Sequence, residues 1–218
     1  MPHSDTAGRI LRAAASLFAE QGFAETTMRQ ITARAGVNLA AVNYHFGSKD
    51  KLILAVSEIY IHPLLSNLEA LLEERAALAE QTIALEELVE MLMRALLSVD
   101  NQTPDALAVF MRLLDLAYMR PQAQLREFLA ERYGRRLQPF LMQVRADSAP
   151  MEDDEFFWRL HFLLGSVTFT LSNFQTLVSI GDGGEDREMK LERTLHRMVP
   201  VLAAGLQARA ETTRFCWL

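Results

Sequence analysis

Residues 26–52 read TTMRQITARAGVNLAAVNYHFGSKDKL, and this stretch decides the fold. Thr26 and Thr27 are helix-capping types, and Met28, Ile31 and Ala35 then recur at the spacing of one helical face. Gly36 can close that helix, because the left-handed conformation at a helix end costs glycine nothing. Asn38 can cap a second helix running from Leu39 to Phe46, and Gly47 and Ser48 stop it before Lys49 opens a third. Two short helices joined by a turn of about three to four residues that contains glycine have helix-turn-helix geometry, in which the second helix enters the DNA major groove.

The residue types suit that task. Ala40 and Ala41 are small enough to let a helix approach a duplex closely, while Asn38, Asn43, Tyr44 and His45 offer hydrogen-bonding groups to bases and phosphates. Val37, Val42 and Phe46 are expected to face inward. The expected DNA-contacting set is Thr27, Arg29, Asn38, Leu39, Ala40, Asn43, Tyr44, His45 and Lys49, with Lys49 directed at a backbone phosphate.

With these residues in order, the segment resembles the DNA-binding domain of the TetR family of bacterial transcriptional regulators. The resemblance covers roughly residues 7–56 and rests on Ile10, Ala13, Ala14, Leu17 and Phe18, then Gly22, Phe23, Thr26 and Thr27. It continues through Ile31, Ala35, Gly36, Val37, Tyr44, His45 and Phe46 to Lys49 and Leu52. Position 43, often aromatic in relatives, is Asn here, which bears on which bases are read. The resemblance implies an N-terminal DNA-binding domain and a C-terminal domain for ligand binding and dimerisation, placed here at residues 1–52 and 53–218.

Composition is consistent with this. Half of the 218 residues are hydrophobic, so a globular chain is expected, and no run of about 18 apolar residues signals a membrane span. The start, MPHSDTAGRI, lacks the basic and apolar regions of a signal peptide, and the single cysteine, Cys216, excludes an internal disulfide, so a cytoplasmic, nucleoid-associated protein is expected. A net charge of −6 looks unfavourable for DNA, but it is unevenly spread. Six cations against five anions leave +1 in the first sixty residues, and sixteen against twenty-three leave −7 in the remainder. Phosphates respond to charge within a Debye length of about 8–10 Å, so Arg9, Arg12, Arg29, Arg34, Lys49 and Lys51 are expected to supply the local field.

Helical periodicity runs along the whole chain, and the fold class is all-α: an N-terminal three-helix helix-turn-helix domain followed by a helical bundle. Helices are expected over 5–22, 49 to about 75 with a kink or break near Pro63, 83–98, 105–118 and 122–145, the last disturbed by Pro139. One long apolar helix over 153–180 and a final helix over 185–210 complete the pattern. The helix over 153–180 is apolar on all sides and must bury more than one face, so the last two helices are the dimer candidates. Phe157, Leu164, Leu171, Leu195, Leu202 and Leu206 are the expected dimer contacts, with filling of the protomer's own core as the alternative. Pairing two helices from each subunit is also what the resemblance implies.

The middle helices are rich in Met and Phe, which suit an irregular apolar pocket as well as an ordinary core. The expected effector-binding set is Met93, Phe110, Met111, Leu114, Tyr118, Phe128 and His161; Arg112 and Asp115 can form an ion pair at i,i+3. Across VNLAAVNYHFGSK and MVPVLAAGL the chain is similar to the TetR branch that responds to long-chain fatty acids or their coenzyme A esters, and a drug-like or aromatic effector fits the same composition. The expected partners are a double-stranded DNA operator, a small-molecule effector and a second copy of the chain, without a membrane. An enzyme is not expected: there is no phosphate-cradling glycine loop, paired metal-ligand spacing or nucleophile elbow. No cofactor or metal is expected either, and the five histidines are scattered. A helix-turn-helix that docks a partner protein is the remaining alternative; DNA binding would differ from it in weakening steeply with salt.

Overall fold

The computed structural model describes residues 3–78, 82–100, 106–118, 123–181 and 187–209. The loop glycines Gly183 and Gly184 and the tail with Cys216 lie outside them. Among the described residues there are ten α-helices and no strand: α1 (His3–Gln21), α2 (Met28–Ala35), α3 (Leu39–Phe46), α4 (Lys49–Leu78), α5 (Leu85–Asp100), α6 (Ala106–Ala117), α7 (Ala123–Asp147), α8 (Asp153–Ser172), α9 (Phe174–Ile180) and α10 (Arg187–Gln207). No single helix among them is long and apolar enough to cross a membrane.

By packing, the chain divides into two compact units, Met1–Asn67 with Ala95–Arg136, and Leu68–Arg94 with Leu137–Leu218. Helices α4, α5 and α7 each give residues to both. In the first unit α1 packs on α2, α3 and α6. This buries Ile10, Ala14, Leu17 and Phe18 together with Ile31, Val42, Leu52 and Val56, and the Phe18 and Phe23 rings lie 4.6 Å apart. The head expected at residues 1–52 therefore shares its core with α6 and the first halves of α4 and α7, because α1 offers apolar side chains to α6 as well as to α2 and α3.

The second unit buries Leu85, Leu88, Val89 and Met93 of α5, Phe140 and Val144 of α7, and Val167 and Leu171 of α8. Leu191, Leu195, Leu202 and Leu206 of α10 join them, and α10 packs on α8. Side chains finish the helix ends. The Asp147 carboxylate accepts the Leu85 amide at 2.8 Å and closes the start of α5. The Arg159 guanidinium donates to the Gly205 carbonyl at 2.8 Å and to that of Ala208, closing the end of α10.

Two expectations about helix breaks change. Pro63 and Pro139 do not interrupt α4 or α7. A proline deletes one backbone bond, and here the apolar residues on both sides of Pro63, from Tyr60 and Ile61 to Leu64 and Leu65, are buried and hold the helix to its core. The single helix expected over 153–180 is instead two, bent by 69° at Asn173. The Asn173 side-chain amide and backbone N–H both donate to the Phe169 carbonyl, at 2.9 and 3.1 Å, so the side chain competes for the helical ladder and ends it.

Candidate nucleic-acid interface

The turn between α2 and α3 is built by local chemistry. Thr27 caps α2: its hydroxyl accepts the Gln30 amide at 3.2 Å, and the Gln30 side-chain oxygen accepts the Thr27 amide at 2.7 Å, a reciprocal capping box. Gly36 sits at φ +63°, and the amides of Gly36 and Val37 donate back to Ala33 and Thr32, a Schellman-type close. Asn38 then caps α3 by accepting the Ala41 amide at 2.8 Å. The turn is also anchored from below. Thr26 is fully buried and donates to the carbonyls of Gly22 and Leu17 at the end of α1, at 2.6 and 3.3 Å. Arg9 reaches the Gly36 carbonyl at 3.4 Å.

Upon this base α3 turns two faces in opposite directions. Val42 is completely buried. Leu39, Ala40, Asn43 and Tyr44 are exposed on the other side, with 81% of Tyr44 open to solvent. His45 is half-buried and meets the Tyr44 ring edge-on at 5.2 Å. Small residues beside hydrogen-bonding groups, on a helix fixed at both ends, make a surface that can enter a groove and read base edges.

The cations divide into two groups. Arg29 on the first turn of α2 and Lys51 on the first turn of α4 are exposed and lie on the same unit as α3. Arg34, expected to contribute to the field, is instead paired bidentately with Glu20 of α1 at 2.7 and 2.9 Å, while Ser16 bonds both of them. The Arg34 hydrogen bonds hold the Glu20 carboxyl down at about 2, and Glu20 in turn raises the Arg34 guanidinium. Lys49 is tied to the carbonyls of Phe23 and Ala24, and burial pushes its ammonium below the usual lysine range. Lys49 thus clamps the α1–α2 turn to the start of α4. Of the nine expected DNA contacts, Thr27, Asn38 and Lys49 have their side chains engaged in holding the motif, whereas Arg29, Leu39, Ala40, Asn43 and Tyr44 are presented outward.

The other two expected sets are rearranged. Met93, Phe110 and Met111 are sealed in core, Leu114 is half-buried and Tyr118 is exposed at the end of α6. Phe128 borders an open groove on α7. His161 holds the Phe157 carbonyl through Nδ1 at 2.7 Å and lies 4.0 Å from the Phe157 ring. Met93 and His161 belong to the second unit and the other five to the first. Arg112, expected to pair with Asp115, donates instead to the Phe18 carbonyl at the end of α1, at 3.2 Å.

Of the expected dimer residues, Phe157 is exposed and Leu164 half-buried, while Leu171, Leu195, Leu202 and Leu206 are buried in the protomer's own core. The exposed apolar residues of α8 are Phe157, Trp158, Phe162 and Phe169, and α10 adds Val201. The spacing 158, 162, 169 was the available signal: it is a second apolar stripe, offset from the buried Val167 and Leu171. For Arg9 and Arg112, whose partners lie 27 and 94 residues away in the chain, no local signal existed.

Comparisons with known proteins agree with this geometry. Residues 10–56 match the family of bacterial regulatory proteins, tetR family, and residues 90–205 match the tetracyclin repressor-like C-terminal domain. An HTH-type transcriptional repressor of Mycobacterium tuberculosis is 52% identical over 52 residues, which is 24% of this chain and 28% of that protein. The repressor NicS of Pseudomonas putida is 39% identical over 84 residues, 38% of each chain. The matches to these relatives thus span little more than a quarter to two-fifths of the relatives' lengths. The crystal structure of a TetR-like transcriptional regulator from Rhodococcus shares the fold over 94% of this chain and 99% of its own, at 20% identity and a TM-score of 0.56. With its head and its C-terminal bundle both matched, the chain belongs to the TetR family.

Proposed function

We propose that the protein is a ligand-responsive, DNA-binding transcriptional regulator that acts as a homodimer on a palindromic operator and is released from it by a small apolar effector. The observation that carries this is α3: a short helix capped at its start by Asn38, closed at Gly47, seated on Val42 and presenting Leu39, Ala40, Asn43 and Tyr44 outward. Arg29 and Lys51 supply phosphate contacts on the same unit. One such helix reads too few bases for specificity, so two copies act together with their reading helices about 34–36 Å apart, one DNA turn.

The exposed cluster of Phe157, Trp158 and Phe162 on α8 supports dimerisation, since neighbouring exposed rings are costly to leave in water; Phe169 of α8 and Val201 of α10 are exposed as well. Effector release follows if the ligand binds one arrangement of the dimer better than another; only that difference in affinity can shift the balance. The Arg112 bond to the Phe18 carbonyl supports coupling within the first unit, because it joins α6 to the end of α1.

Selection of fragmented genomic DNA on the purified protein at near-physiological salt tests the proposal. Enrichment of one short palindrome, with binding that weakens steeply as salt rises, is the expected result. Salt-insensitive capture, or none from protein extracted free of bound ligand, would favour a helix-turn-helix that docks another protein.

A further inference from the structure

The first unit carries two open grooves, of about 610 and 780 Å³, that share Arg132 and Arg136 of α7. The smaller has an apolar wall formed by Leu11 of α1, Ile59 of α4 and Tyr133 of α7. The larger continues past Phe128 to Arg135. Both volumes lie in the range of small-molecule sites.

The charge pattern is specific. Arg132, Arg135 and Arg136 fall at i, i+3 and i+4 on one face of α7, where like charges repel. Across the groove Glu58 of α4 pairs with Arg132 at 3.0 Å, and Arg136 donates to Ser66 of α4 at 3.0 Å. Glu131 also borders the larger groove. Arg135 has no hydrogen-bond or ion-pair partner among the described residues, so one guanidinium stands uncompensated in the larger groove, next to the shared Arg132 and Arg136.

We infer that this groove binds an amphipathic anion, a molecule with an apolar body and a carboxylate or phosphate head. The body lies along Leu11, Ile59 and Tyr133, and the head takes the position of the Glu58 carboxylate on Arg132, with Arg136 beside it. Guanidinium forks match such oxyanions bidentately. The exchange matters because of where Glu58 stands. Helix α4 starts three residues after α3 ends, and its first residue, Lys49, clamps the α1–α2 turn. Releasing Glu58 from Arg132 removes a tie between α4 and α7 inside the unit that carries the reading helix. The inference rests on the effector-responsive reading given above, and it names the site and the chemical class of the effector.

The test is calorimetric titration of the full-length protein, free of DNA, with decanoate, decyl phosphate and 1-decanol below their aggregation limits. At least one anion should bind about threefold or more tightly than the alcohol, since water screens a charge seated on the exposed Arg132 and leaves a few-fold advantage. The tighter of the two identifies the head group as carboxylate or phosphate monoester. Arg132→Gln with Arg136→Gln should remove that advantage and leave the alcohol unchanged. Glu58→Gln should tighten anion binding several-fold, because the internal competitor is gone. The opposite signs separate a binding role from a structural one, and the Glu58→Gln result decides alone if the double variant does not fold. Equal binding of anions and alcohol, no binding of any of the three, or a Glu58→Gln variant that weakens anion binding would overturn the inference. Anion binding without any operator selection would sink the regulator reading and leave the groove; operator selection without anion binding would do the reverse.

Discussion

Helices α3 and α8 both expose aromatic side chains, and their surroundings give those side chains different work. On α3, Tyr44 stands among Leu39, Ala40 and Asn43, with Arg29 and Lys51 exposed on the same unit. On α8, Phe157, Trp158 and Phe162 form a cluster whose neighbouring rings lie 5.7 and 6.4 Å apart, and 65% of Phe162 is open to solvent. An isolated phenol amid small and hydrogen-bonding residues suits a polar groove, where it can meet phosphates and base edges. A patch of rings with few polar groups between them suits another apolar surface. Exposure alone identifies neither partner; the company the ring keeps does.

The sharpest way to break this comparison is to put a charge into the α8 cluster. If the proposed dimer forms through this face, Phe162→Arg should leave a monomer in analytical ultracentrifugation and cost operator affinity on the order of a hundredfold or more, because two half-sites are no longer read together. Helical content should be unchanged, since the side chain is on the surface. A variant that stays dimeric would show that the aromatic face of α8 serves another purpose. Tyr44→Ala should do the converse: sedimentation as a dimer, with operator affinity down by about 1–3 kcal/mol, roughly fivefold to 150-fold in a gel-shift titration.

A smaller effect separates holding the motif from touching the ligand. Gly36→Ala meets open space, with nothing within 4 Å of the added carbon, but must adopt φ +63°. It should cost about 1–2 kcal/mol, a drop of roughly 2–8 °C in Tm. Lys51→Ala should leave Tm alone and flatten the dependence of log K on log salt by about 1, whereas Lys49→Ala should lower Tm, its ammonium being engaged with carbonyls of the α1–α2 turn.

The smallest effect concerns pH. Hydrogen bonds from Arg34 and Ser16 lower the Glu20 carboxyl from its ordinary 4.5 to about 2. Its contribution is therefore complete above about 4.5 and is lost as pH falls toward about 2. Glu20→Gln should melt slightly below the parent protein at neutral pH, and the difference should close over that acid range. Both partners are exposed, so water screens the pair and the effect stays small.

How much of this was readable in the residue order depends on the range of the forces. The α2–α3 turn was legible because each of its signals acts within a few residues: Thr27 with Gln30, Gly36 with Ala33, and Asn38 with Ala41. The engagements of Arg34 and Lys49 are not declared by anything near them in sequence; Glu20 and the Phe23 carbonyl come close only when α1 has docked. Periodicity placed Leu171, Leu195 and Leu202 on helical stripes correctly, yet a stripe does not say whose core it enters, and these enter the protomer's own. Met93, Phe110 and Met111 carry the same ambiguity: all three are buried, and a flexible thioether or a ring fills a core as readily as it lines a cavity.

Asp147 closes α5 from a position that its own helix disfavours. A carboxylate in the last turn of α7 faces that helix's negative end, while the start of α5 presents positive, unfinished amides and already gathers Glu86 and Glu87. The bond joins residues 62 apart in the chain. Closing so long a loop is entropically costly, and the packed helices of the second unit hold the two ends together. That one carboxylate thus ties the first turn of α5 to the end of α7, and Asp147→Ala should speed hydrogen exchange at the Leu85 amide.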